Sequence, residues 1–110
     1  MRELAFFTKA GNMYPKYNSS PLVYMIGVEA DSRIWRKVYE LNCLPISSNI
    51  GLTIPSDQRH MFIRNCSVCM VGPEAKNYIY TKDDIAYAHK INKLVLMNDI
   101  EGLETWLESR

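Results

Sequence analysis

The sequence has no apolar run approaching the ~20 residues that a bilayer-spanning helix needs. The apolar stretch at residues 4–7 is broken by Thr8 and Lys9, too short for a signal-peptide core. An excess of one charge is missing as well, since 13 Lys and Arg face 12 Asp and Glu and leave a net charge of +1. Such a balance sets up no field that would draw the chain onto nucleic acid or an anionic membrane. Cysteine is sparse, three in 110 residues. An odd count without a secretory signal argues against a disulfide framework, so reduced thiols and a cytoplasmic location are expected. Gly27 follows an apolar run but lacks the G-x-G-x-x-G spacing, so the fingerprint of dinucleotide binding is absent. Repeats and low-complexity tracts are missing too, and residues 1–110 read as a single domain.

What is present is an ordinary globular composition, 47% hydrophobic and 23% charged, enough for one unstapled core. Residues 65–72 (NCSVCMVG) form a nearly unbroken apolar run closed by Gly72-Pro73, the pattern of a strand buried on both faces. Thr81 with Asp84 three residues on has capping-box spacing, and a helix is expected over 82–91. Residues 94–97 (LVLM) then read as a short buried strand. Asn98-Asp99 caps a last helix carrying Ile100, Leu103, Trp106 and Leu107. Strand, helix and strand with short connections make a parallel β-α-β unit.

The N-terminal half is read more coarsely. Residues 22–28 (LVYMIGV) are a strand, and Asp31 or Ser32 caps a helix that turns Ile34, Trp35, Val38 and Leu41 to the core. Leu44 to Ile46 add a short strand that Pro45 confines to an edge, and residues 3–8 a further strand. Residues 47–60 read as a long loop. The sum is an α/β fold, a small Rossmann-like three-layer domain with a mostly parallel sheet of four or five strands and three helices. Ligands of such sheets lodge beyond the carboxyl ends of the strands. That rule selects residues 27–31, 72–74 and 98–99.

Several residues invite chemistry. In a strand, residues three apart face opposite sides, so Cys66 and Cys69 read as separate buried thiols rather than a redox pair. A zinc site could recruit Cys43 and His60, but no second short-spaced pair exists, and neither a metal nor a cofactor is expected. His89 has Asp83 and Asp84 only at spacings of poor geometry, and His60 falls in the long loop, so both read as ordinary, partly exposed histidines. Arg33, Arg36 and Lys37, like Arg59 and Arg64, read as solvated charges. Tyrosines recur at 14, 17, 24, 78, 80 and 87; Tyr78 and Tyr80, just before the capped helix, suit a binding role.

Residues 66–97 resemble the closing β-α-β unit of the nucleoside 2-deoxyribosyltransferase-like superfamily. The string Asp84-Ile85-Ala86-Tyr87-Ala88, followed by Lys93-Leu94-Val95, is similar to that family's E-I-x-x-A and K-P-V pattern. Residues 23–27 (VYMIG) are similar to its opening strand ending in glycine. The resemblance implies a nucleoside site in which Asp84 stands where the family has its glutamate nucleophile. Aspartate is one methylene shorter and would fall short of in-line attack. The expectation is therefore a module binding a nucleotide- or nucleoside-like ligand without catalysis, lined by Gly27, Glu29, Gly72, Tyr78, Tyr80 and Asp84. The alternative is a non-enzymatic interaction protein, such as a small viral or accessory inhibitor docking on a larger host protein. No nucleic-acid or membrane partner is expected, and a homo-oligomer is left open.

Overall fold

The computed structural model describes residues 20–30, 32–47 and 55–110. The strand expected at residues 3–8, the tyrosine-bearing segment 12–18 and Asp31 lie outside them. In chain order the elements are β1 (Leu22–Ile26), α1 (Arg33–Glu40), β2 (Leu44–Ile46), α2 (Ser56–Asn65), β3 (Val68–Val71), a 3₁₀ turn (Ala75–Asn77), α3 (Thr81–Lys90), β4 (Leu94–Met97) and α4 (Ile100–Glu108). The described strands form one four-stranded sheet in the order β2-β1-β3-β4. Every pairing is parallel, with Tyr24 opposite Cys69 and Cys69 opposite Val95 in register. The fold is therefore α/β, with helices on both sheet faces, as expected of a small Rossmann-like domain.

Alternation along the strands sorts the core into two layers. Val23, Met25, Val68 and Met70 point to α1 and α4, where they meet Ile34, Val38 and Leu103. Tyr24, Ile26, Cys69 and Val71 point to α2 and α3, where they meet Ile63 and Ala88. Each fully buried aliphatic side chain contributes about 1.5–3 kcal/mol. The helix ends are set locally. The Ser32 hydroxyl accepts from the Trp35 amide at 3.3 Å, and an Asp99 carboxylate oxygen from the Gly102 amide at 2.9 Å. Asn42 and Asn92, at φ 65° and 61°, sit just past the C-caps of α1 and α3 in the left-handed region that asparagine tolerates.

Four expectations are corrected. The loop read over residues 47–60 gives way to α2 from Ser56 onward. That helix carries the chain through Asn65, so β3 starts at Val68 and not three residues earlier. Residues 94–97 do form a strand, but at the edge of the sheet among the described residues, where Leu94 is 41% and Met97 62% exposed. The capping box is not made, because Tyr80 is the N-cap, the Thr81 hydroxyl donates to the Ala75 carbonyl, and Asp84 bonds elsewhere. Among the described residues no helix is long and apolar enough to cross a membrane.

Candidate functional site

The chain leaves β1 toward β2 on one side, while β3 lies on the other. This divergence opens a crevice at the carboxyl ends of the two central strands. Two glycines let the next segment cross it closely. Gly27 sits at φ 65°, and a Cβ there would lie 2.4 Å from the Ala75 Cα. A Cβ on Gly72 would lie 2.5 Å from Val28 Cγ2. The 3₁₀ turn is thus laid directly on the end of β1, held by the Gly72 amide donating to the Ile26 carbonyl at 3.0 Å. Beside it lies a cleft of about 890 Å³ whose wall includes Gly27, Glu29, Ser32, Lys37 and Tyr78. The Tyr78 hydroxyl donates to the Glu29 carboxylate and ties the two loops together. A second cleft of about 610 Å³, with Gly72, Ile79 and Met97, shares Tyr78 as a wall.

On the α2/α3 face the helices enclose a polar cluster. Asp84 is fully buried and accepts from Arg59 Nε at 2.8 Å and from the Tyr24 hydroxyl at 3.2 Å. Arg59 also donates through a terminal nitrogen to Asp83 at 3.0 Å, and His60 Nε2 lies 2.9 Å from the same carboxylate oxygen. The His60 ring stacks flat on Tyr87 at 3.9 Å. The Arg59 guanidinium covers the Tyr80 ring at 5.2 Å, and Tyr80 in turn leans on Tyr78 at 5.8 Å. Aromatic contacts thus link the cleft wall to the buried ion pair. The Tyr80 hydroxyl is buried without a hydrogen-bond partner, which costs about 1–3 kcal/mol. The ligand-type atoms of His60, Asp83 and Asp84 lie within 4.8 Å of one another. The guanidinium bridging both carboxylates already occupies the cation position there.

Burial pushes the Asp84 carboxyl above its ordinary 3.8, although Arg59 and Tyr24 pull it back. Asp83, largely solvated, moves the opposite way, held down first by its bond to His60 and then by Arg59. Arg59 also loses to burial, but its bonds to the two carboxylates outweigh that loss and keep it charged. The arginine gains from the contact, and the aspartate is ionised against the cost of its burial. With its folded value raised, Asp84 contributes stability below 3.8 that is lost as pH rises through the folded value. The difference in unfolding free energy between wild type and Asp84→Asn should therefore fall as pH rises from that point. A difference that grows with pH would show that pairing outweighs burial.

Of the residues selected from sequence, Gly27, Glu29 and Tyr78 line the larger cleft, and Gly72 lines the smaller one. Tyr80 and Asp84 line neither and belong to the cluster behind. Sequence reasoning missed Arg59, His60 and Asp83 as site residues, the first two having been placed in a loop. The available signal was Pro55 ahead of Ser56 and Asp57, a helix start. His89 is exposed on α3. Compared with protein-family models, curated proteins and solved structures, the chain matches none.

Proposed function

We propose that this chain is a binding domain whose larger cleft takes a nucleotide- or nucleoside-like ligand without turning it over. The observation that carries the reading is the 890 Å³ cleft at the point where the β1 and β3 connections diverge, with Glu29 and Tyr78 joined in its wall. The volume lies within the ~300–1,000 Å³ of small-molecule sites. A carboxylate following the first strand suits the hydroxyls of a ribose, and the Tyr78 ring offers a stacking face. Arg33 and Lys37 on the α1 side share the lining with Glu29, Glu40, Glu74 and Glu104, a balance that favours an uncharged nucleoside over a phosphate. Absence of turnover is supported by Asp84, which lies outside the cleft, engaged by Arg59 and Tyr24.

Thermal melting against a panel of nucleosides and nucleotides at millimolar concentration tests the reading. A ligand at 100 times its Kd adds about 2.7 kcal/mol and raises Tm by on the order of 10 °C in a domain of this size. The 2′-deoxy compound and the Glu29→Gln variant should each show a smaller shift. No shift with any compound overturns the reading. A docking role would then rest on the apolar pair at the smaller cleft, Met97 and the 95% exposed Ile79.

A further inference from the structure

At the end of the sheet opposite the cleft, the junction of α2 and β3 places two thiols in contact. Cys66 is the C-cap of α2 and Cys69 lies inside β3, yet their Sγ atoms are 3.8 Å apart and pack in the same core layer. The strand alternation that would set them on opposite faces does not apply, because Cys66 precedes the strand. We propose that Cys66 and Cys69 form a reversible thiol–disulfide site, closed by a hydroperoxide and reopened by a dithiol.

The geometry gives each sulfur a distinct role. The Cys66 thiol points at the Ile63 carbonyl, 3.2 Å away, which leaves Cys69 as donor to Cys66. Lys93 donates to the Cys66 carbonyl at 2.6 Å, placing an ammonium beside the junction. The bond from Cys69 pushes the Cys66 thiol down, and Lys93 adds to this against the cost of burial. The same bond and burial push Cys69 up. Cys66 keeps 4% of its surface exposed and Cys69 none, so a small oxidant meets Cys66 first. Cys43, buried in the other layer, is pushed up to about 11 by burial and stays a thiol.

The reaction balances with a hydroperoxide as oxidant. The Cys66 thiolate attacks the O–O bond and takes one oxygen as a sulfenic acid, and the other oxygen leaves and is protonated to water or alcohol. The Cys69 sulfur then attacks Cys66 Sγ. An S–S bond forms, the S–O bond breaks, and the hydroxyl leaves as water with the Cys69 proton. Two electrons pass from the sulfur pair to the peroxide. Reaching the disulfide spacing of about 2.05 Å requires the sulfurs to close from 3.8 Å. The motion gives up the Cys66–Ile63 bond and draws the end of α2 toward β3.

Hydrogen peroxide on the folded wild-type chain, followed by intact mass and peptide mapping, tests this. The expected result is a loss of about 2 Da with a Cys66–Cys69 crosslink, free thiols falling from three to one, and recovery of all three with dithiothreitol. Cys43→Ser should behave like wild type. Cys69→Ser should stop at a trappable sulfenic acid on Cys66. Three thiols remaining after exposure, a bridge that includes Cys43, or crosslinks only between chains would each overturn the proposal.

Discussion

Arg59→Ala is expected to lower unfolding free energy by about 3–5 kcal/mol, as removal of one member of a buried ion pair does. That is a large share of the roughly 5–15 kcal/mol that holds a domain together. The carboxylate left behind is the reason. Asp84 has no exposed surface, and its other partner is the neutral hydroxyl of Tyr24. Without the guanidinium the aspartate must take up a proton or pull α3 open to water. Asp83 and His60 stay at the rim, where Asp83 is half exposed, and should contribute little to the loss. Urea denaturation near neutral pH reads the effect. The double variant Arg59→Met/Asp84→Leu should recover most of it, because an apolar pair carries no desolvation cost. A loss below about 1 kcal/mol for the single variant would mean that the ion pair is not dry.

Gly27→Ala should be nearly as severe, at roughly 2–5 kcal/mol, from two additive sources. The left-handed backbone at φ 65° disfavours any Cβ by about 1–2 kcal/mol. Overpacking adds about 1–3 kcal/mol, because the new methyl would lie 2.4 Å from the Ala75 Cα, a backbone atom that cannot rotate aside. The 3₁₀ turn would have to lift, carrying Tyr78 away from Glu29. The melting shift with nucleotide should therefore disappear even where the variant remains folded. Gly72→Ala is the internal comparison, because its closest clash is with the Val28 side chain and no positive φ is involved. Equal losses at both glycines would refute the account of Gly27.

What could be read from the sequence and what could not divide along contact range. The runs LVYMI, VCMV and LVLM declare themselves as parallel strands because short apolar stretches bounded by glycine, proline or asparagine leave little alternative, but the burial expected of LVLM is not met. Gly27, Glu29 and Gly72 were within reach because strand ends in such a sheet face the crevice, whereas Tyr78 stood out only as a tyrosine just ahead of a helix. The helix α2 was hidden, since its buried residues are Arg59 and Ile63 and a buried arginine does not register as an apolar stripe. Its burial makes sense only once residues 83 and 84, far along the chain, supply the carboxylates. Cys66 and Cys69 are buried thiols as expected, but the opposite faces expected for them failed through the same omission, because the end of α2 sets where β3 begins.

The order β2-β1-β3-β4 gives the short strand at residues 22–26 a governing place in assembly. Among the described residues its neighbour β2 pairs with no other strand, and β3 and β4 reach β2 only through β1. A chain emerging from its N-terminus can lay β2 against β1 once residue 46 is out, but the opposite edge of β1 then stands open until Val68–Val71 follow. Through that interval Val23, Tyr24, Met25 and Ile26, all buried at the end, are half covered, and the loop that must close is long. The same five residues that later support the crevice thus present an open strand edge to a wrong partner while the protein is being made.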